Sequence, residues 1–299
     1  MRRAAWLLLA VAPSWTQPPS FMAGSEAYEA GDYARCADVL LAVEASGVPV
    51  AIGGELLAAE CLSRAGRFEE ALAYLRRQLP AGRVPPQELR ESSRPGLEAL
   101  RAQPGWQALL PEVEELEAQR VARIDAPLRE QLLRRAARDQ EARAAALDKQ
   151  GDSAADEAWR TVAAVDADNT RWLGQIIAET GWPDSDLVGR DGARAAWMIA
   201  QHAGHDPAFQ ASVLPLLEAA VAKGSAAPQD LALLTDRVLV AQGKRQRYGT
   251  QFHTGDDGMM RMRPAEDEAG LDARRRSAGL PPMDDYRKMM AETYGRPVE

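Results

Sequence analysis

The sequence predicts an all-α protein in which short helical hairpins are followed by a larger helical domain that carries one small β-hairpin. Apolar residues recur at intervals of three and four through most of the chain, which is the periodicity of amphipathic helices. Glycine and proline separate these stretches at positions that favour helix ends. Sequence patterns typical of β-strands occur in one region, near residues 245–263.

The composition is that of a globular protein of one or two domains, with 46% hydrophobic and 27% charged residues among 299. The 44 acidic and 36 basic residues give a net charge of -8, which argues against nucleic-acid binding through phosphate neutralisation. No membrane span is expected, because a spanning helix needs about 20 apolar residues. Two cysteines and three histidines leave room for only a small metal site, and no motif identifies a cofactor.

Residues 1–23 have the layout of a secretory signal peptide. Met1-Arg2-Arg3 is basic, and nine apolar residues follow from Ala4 to Ala12. This layout predicts export to the periplasm or the medium. The alternative is an apolar helix at the start of a cytoplasmic protein.

The two cysteines are placed symmetrically in a predicted helical hairpin. Asp32–Ser46 and Val50–Ala65 are expected to run antiparallel around a turn at Gly47, so Cys36 and Cys61 face each other. In an oxidising compartment they are candidates for a disulfide. Two buried free thiols are the alternative interpretation.

Residues 24–80 carry a weak internal repeat. The motif Gly31-Asp32-Tyr33 recurs 35 residues later as Gly66-Arg67-Phe68. This period and the glycine before an aromatic residue are similar to those of tetratricopeptide repeats, which stack pairs of helices. Such a module typically binds a protein or peptide partner, and a helical spacer without a ligand is the alternative.

Residues 81–124 are predicted to connect this module to the larger domain, residues 125–299. Gln78 to Pro104, which includes the start of this connection, is expected to be irregular with at most one short helix, and Trp106–Arg123 is expected to be helical. The larger domain is predicted to contain helices at Pro127–Lys149, Ala154–Val165, Asp168–Thr180, Gly192–Ala203, Pro207–Lys223, Pro228–Gln242, Asp267–Ala278 and Met283–Met290, and strands at Arg245–Phe252 and Met259–Arg263.

Several polar residues of this domain occupy positions where the helical pattern predicts burial. Gln210 lies on an apolar stripe, and Asp236 and Arg237 lie on a helix with almost no polar face. A buried charge is costly unless it is paired and hydrogen-bonded, so these residues need partners. The candidate catalytic residues are therefore His202, Asp236 and Tyr248, and the candidate ligand-binding residues are Gln201, Asp206, Gln210, Arg237, Thr250 and Gln251.

Three interpretations of these polar residues remain open. They can form a structural network that holds the hairpin against the helices. They can line a cleft in which His202 acts as acid or base while Asp236, Arg237 and Tyr248 position a polar substrate. They can supply a metal site from His202, His205 and Asp206, although this spacing is a weak metal motif.

Motifs of this domain follow one another in a characteristic order: Gly181-Trp182-Pro183, Leu187-Val188-Gly189, Gln201-His202-Ala203-Gly204-His205-Asp206, Phe209-Gln210, Asp236-Arg237 and Gln246-x-Tyr248-Gly249-Thr250-Gln251. Over residues 139–286 the combination resembles a bacterial family that is known only as a domain of unknown function. The resemblance implies no activity and no cofactor. It implies that the polar residues above belong to the signature of the family.

The expected function is that of an exported helical protein that binds a ligand or another protein, with the polar cluster as its ligand site. The alternative is a hydrolase that uses His202 with Asp236, Arg237 and Tyr248. The two hypotheses differ in whether these side chains converge on an open site.

Overall fold

The computed structural model describes residues 19–47, 54–80, 84, 86–149 and 154–299, which form fourteen α-helices and one two-stranded sheet. The prediction of an all-α protein with a small β-hairpin is therefore confirmed. Every helix in these ranges is too short or too polar to cross a bilayer. Residues 1–18, which include most of the predicted signal peptide, lie outside the described residues.

The first seven helices share one hydrophobic core, which extends from Ala27 to Val113. In chain order they are α1 Phe21–Glu29, α2 Tyr33–Ala45, α3 Gly54–Arg64, α4 Phe68–Gln78, α5 Pro86–Glu91, α6 Pro95–Arg101 and α7 Pro104–Val121. Gly31 follows α1 and Gly66 follows α3, and both have a φ of 76°. Because this left-handed conformation favours glycine, the repeated glycine makes the same turn in both helix pairs.

A disulfide between Cys36 and Cys61 joins α2 to α3, with the two Cα atoms 5.8 Å apart. Both cysteines are fully buried in the first core. The bridge links residues 25 positions apart, for which the chain-entropy model gives a stabilisation of about 3.5 kcal/mol.

The segment from Gln78 to Pro104 contains two helices, α5 and α6, where at most one was predicted. The reason is burial of apolar side chains. Leu89 of α5 and Leu97 and Leu100 of α6 are fully buried in the first core. Packing of these leucines therefore outweighs the proline- and glycine-rich composition of the segment.

A second core is formed by five helices: α8 Ala126–Asp148, α9 Ala155–Thr180, α10 Ser185–His202, α11 Pro207–Lys223 and α12 Pro228–Ala241. Helix α8 packs against both α9 and α10, and α11 packs against α12. Five elements follow, namely β1 Phe252–Thr254, β2 Met260–Met262, a 3-10 helix at Glu268–Gly270, α13 Leu271–Ser277 and α14 Met283–Tyr294.

Two helices of this core differ from their predicted bounds. Helix α9 is continuous, whereas the sequence predicts a new helix capped at Asp168. The Asp168 side chain instead accepts a hydrogen bond from Arg135 of α8 at 2.7 Å, so it links two helices. Helix α10 begins at Ser185 rather than Gly192, and it kinks at Gly189, which has a φ of 73°.

The predicted strand Arg245–Phe252 is wrong for most of its length. The antiparallel sheet pairs only the three residues of β1 with the three of β2. Residues 246–251 form a loop, which is called the 246–251 loop below. Three of its backbone N–H groups are bound by the side chain of Asp236 rather than by a neighbouring strand.

Candidate functional site

Asp236 of α12 is fully buried beneath the 246–251 loop. Its Oδ1 accepts hydrogen bonds from the N–H of Arg247 at 2.6 Å and of Tyr248 at 2.9 Å. Its Oδ2 accepts from the N–H of Thr250 at 2.9 Å and from the Thr250 hydroxyl at 3.0 Å. Because its oxygens are surrounded by donors of the chain itself, this carboxylate holds the loop and offers nothing to a substrate.

Arg275 of α13 binds a carbonyl group of the same loop, whereas Asp236 binds its N–H groups. Its fully buried guanidinium donates to the carbonyl of Tyr248 at 2.6 Å and to the carbonyl of Pro281 at 2.7 Å. It also lies 4.5 Å from the ring centre of Tyr286. Burial lowers the pKa of Arg275 to about 10, although nearby acidic groups, including Asp236, act to raise it. Asp236 therefore binds the amides of the loop and Arg275 binds a carbonyl.

Gln246 and Gln251 also form hydrogen bonds within the 246–251 loop. The Gln246 amide donates to the carbonyl of Gln251 at 3.0 Å, and its side-chain oxygen accepts from the N–H of Gln251 at 2.8 Å. The Gln251 amide donates to the Thr250 hydroxyl at 3.1 Å. Tyr248 is half-buried, and its hydroxyl has no hydrogen bond to any described residue. The geometry thus places Thr250 and Gln251 in the structural network.

Gln210 and Asp206 stabilise helix ends. The buried Gln210 amide donates to the carbonyls of Ala200 at 2.9 Å and Gln201 at 3.1 Å, near the C-terminal end of α10. Asp206 accepts from the N–H of Phe209 at 2.9 Å and so caps the first turn of α11. His205 is exposed.

His202 contacts Asp139 of α8. Its Nδ1 lies 2.9 Å from Oδ2 and 3.1 Å from Oδ1 of Asp139. A proton on Nδ1 satisfies both contacts, and the Nε–H of Arg143, which lies 3.1 Å from the same Nδ1, then donates to Asp139. This tautomer leaves Nε2 as an acceptor with no partner among the described residues. The Asp139 side chain is 1% exposed, whereas the His202 side chain is 24% exposed. The ring is therefore fixed from the buried side and accessible from the other.

Arg143 joins Asp139 to a second carboxylate, Asp166 of α9. Its Nη2 donates to both oxygens of Asp166 at 2.6 and 2.8 Å, and its Nε lies 3.3 Å from Asp139. Burial acts to raise the pKa of Asp139, but His202, Gln140 and Arg143 lower it to about 2. Burial raises the pKa of Asp166, and the neighbouring Asp139 adds to this effect while Arg143 opposes it. Asp139 is thus the firmly ionised member of the pair.

Arg237 of α12 contacts the C-terminal end of α10 through the side chain of Gln201. With its side-chain oxygen facing Arg237, Gln201 accepts from Nε at 3.1 Å and from Nη2 at 3.3 Å. Among the described residues no carboxylate pairs with this guanidinium. Burial and the charge of Arg143 both lower the pKa of Arg237, and Tyr294 acts to raise it. The set Asp139, Arg143, Asp166, Gln201, His202 and Arg237 is called the His202 centre below.

A family model matches residues 126–299, from the start of α8 to the last residue, and its description is a family of unknown function, DUF6624. The chain belongs to this family. A comparison with curated proteins found no match, and a comparison with solved structures found none either. The 246–251 loop, its two buried partners and the His202 centre all lie within the DUF6624 domain.

In the DUF6624 domain the sequence-predicted site residues separate into two groups. Asp236, Thr250 and Gln251 bind one another in and beneath the 246–251 loop. Gln201, His202 and Arg237 belong to the His202 centre. The three residues of the suggested metal site, His202, His205 and Asp206, are not brought together, because His202 binds Asp139 and Asp206 caps a helix.

Ligand atoms of a different set, Asp139, Asp166 and His202, lie within 4.8 Å of one another. The guanidinium of Arg143 lies among these groups and donates to both oxygens of Asp166. The cation that these carboxylates bind is therefore Arg143 itself. The arrangement is suited to orienting an imidazole for proton transfer.

The sequence analysis did not single out Asp139 and Arg143, which lie in a mixed-sign charge run of α8 that is typical of a solvated face, or Asp166 of α9. A signal was present, since Asp139 continues the buried stripe formed by Leu128, Leu132 and Ala136. Arg275 was also missed, although a comparable signal was present. It lies between Leu271 and Ala278 at helical spacing, and both of these neighbours are buried.

Asp236→Asn is expected to destabilise the DUF6624 domain by about 3 kcal/mol or more, since an amide NH2 group would face backbone donors. Equilibrium unfolding in denaturant measures the change. Asp206→Asn is the matched control and should change the unfolding free energy by about 0.5 kcal/mol or less, because asparagine caps a helix as well as aspartate does. Equal losses in the two variants would contradict a structural role for Asp236.

Proposed function

We propose that the DUF6624 domain is an acid–base catalyst of the hydrolase type, with His202 as the residue that moves the proton. One observation carries the proposal. Nδ1 of His202 lies 2.9 Å from the buried carboxylate of Asp139, while the ring itself stays partly exposed with Nε2 unpartnered among the described residues. A carboxylate that orients a histidine in this way is a recurrent feature of hydrolytic sites.

In this proposal Asp139 fixes the tautomer of His202 and stabilises the imidazolium that forms when Nε2 accepts a proton. The proton comes from the attacking water or substrate hydroxyl and is returned to the leaving group. The low pKa of Asp139 supports this role, because the carboxylate stays ionised throughout. Arg143 holds Asp139 and Asp166 in place.

The proposed site differs from the one expected from the sequence in its partners. Asp236 and Tyr248 have no contact with His202 among the described hydrogen bonds, and Asp139 takes the orienting role. Arg237 keeps its expected role as a substrate-positioning residue. Binding without chemistry was the other expectation, and it would use Arg237 and Gln201 but would not need the free ring nitrogen.

We also propose that the chain is exported to the periplasm or the medium. The basic and apolar start of the sequence supports export. The Cys36–Cys61 disulfide is an independent support, because disulfides persist mainly in oxidising compartments. The shared turn glycines of α1–α2 and α3–α4 support a tetratricopeptide-like module, whose protein or peptide partner stays a prediction.

His202→Asn tests the catalytic proposal, because the asparagine amide can replace the Nδ1 hydrogen bond to Asp139 while Nε2 is lost. The full chain is assayed on a panel of chromogenic carboxylic esters and phosphate esters. Wild type should hydrolyse at least one of them, and His202→Asn should lose about 100-fold or more of that rate. His205→Gln, a change at the exposed neighbouring histidine, should retain it. Background rates for wild type, or equal rates for wild type and His202→Asn, would contradict the proposal.

Export predicts that protein recovered from the periplasmic fraction or the medium has no free thiols. Thiol titration of the denatured, unreduced protein should find none, and titration after reduction should find two. Accumulation in the cytoplasm with both thiols free would contradict the export proposal.

A further inference from the structure

Arg237 differs from the other charged side chains of the His202 centre in having no opposite charge beside it. Arg143 is balanced by Asp139 and Asp166, which contact it through Nε and Nη2. The described hydrogen-bond partner of Arg237 is the neutral amide of Gln201. Within the part of the chain that the structure describes, the charge of Arg237 is therefore uncompensated, although most of the side chain is buried.

A guanidinium in this position carries a free-energy cost that the fold does not offset. Removing a cation from water is unfavourable unless an anion or several hydrogen bonds replace the solvent. The charge of Arg143 is close enough to disfavour the Arg237 cation further. Such an arrangement is typical of a site that is completed by an anionic ligand.

Two other arginines, Arg134 and Arg135 of α8, show the contrast. Arg134 pairs with Glu130 at 2.5 Å, and Arg135 pairs with Asp168 at 2.7 Å. These pairs are solvated and already neutral, so they give no reason for an anion to bind there.

We propose that Arg237 binds an oxyanion of the substrate, a carboxylate or a phosphate group, beside His202. The inference rests on the proposed function, since it names the substrate class of the same centre. Gln201 fixes the guanidinium through Nε and Nη2, which leaves the remaining N–H groups for two oxygens of one anion. Gln201 directly precedes His202, so the bound anion and the imidazole are held by the same helix end.

Isothermal titration of the full chain with inorganic phosphate and with sodium acetate tests the inference. Wild type should bind at least one of them with a dissociation constant of about 1 mM. Arg237→Gln should weaken this binding by about tenfold or more, and added salt should weaken it in wild type. Arg237→Lys retains the charge but loses the planar fork, so it should bind with intermediate affinity.

Arg129→Gln is the matched control. Arg129 lies on the same helix as Arg143, about 20 Å along its axis, and pairs with Asp191. This variant should bind the anions as wild type does. Stronger binding of phosphate would assign a phosphoryl group to the substrate, and stronger binding of acetate would assign a carboxylate.

The two proposals are separated by His202→Asn, which should bind the anion normally while losing hydrolysis. Anion binding that depends on Arg237 without any hydrolysis by wild type would leave this inference standing and overturn the catalytic proposal. Hydrolysis that depends on His202, with no binding of either anion or with equal binding by Arg237→Gln, would overturn the inference alone.

Discussion

A carboxylate that is taken out of water must be surrounded by donors, and the DUF6624 domain depends on how it meets this requirement at Asp236. The side chain is fully buried, and its four short contacts all come from one stretch of backbone and one hydroxyl. The 246–251 loop has no strand partner along most of its length. Its conformation is therefore set by this carboxylate from one side and by Arg275 from the other.

In the His202 centre the buried carboxylate is bound by side chains instead of by the backbone. Asp139 is as deeply buried as Asp236, but its partners are the side chains of Gln140, Arg143 and His202, from α8 and α10, rather than backbone amides. One of them, His202, remains partly open to solvent. Arg237 directly follows Asp236 in the sequence, yet its described partner is a neutral amide. Adjacent residues of α12 thus contribute to a buried structural network and to a partly exposed centre.

The helical pattern predicted the fold class and most helices of the domain, because apolar periodicity and terminal glycines or prolines act locally. It also predicted that Gln210, Asp236 and Arg237 are buried and need partners. It did not predict which partners, since Asp236 and the 246–251 loop meet only in the folded chain. The predicted strand at Arg245–Phe252 was wrong because the side chain of Asp236, rather than a neighbouring strand, binds the backbone N–H groups of this segment. No local pattern reveals that contact.

Long-range pairing also explains why Asp139 and Asp166 were missed. Arginine-rich helix faces are usually solvated, and α8 carries such a face beside its buried stripe. Only the approach of α9 and α10 turns Asp139, Arg143, Asp166 and His202 into one centre. The family match covers this part of the chain and names no activity, so the assignment depends on the geometry.

The central claim is that Arg275 is a structural cation and Arg237 is a functional one. It is tested most directly by the unfolding free energies of Arg275→Met and Arg237→Met, measured in denaturant without added phosphate or carboxylate. Arg275→Met should lose about 3 kcal/mol or more, because it strips donors from buried carbonyls. Arg237→Met should lose about 1 kcal/mol or less, or become more stable, because removal of the charge offsets the loss of the donor to the Gln201 oxygen. Losses of similar size in both variants would contradict the claim.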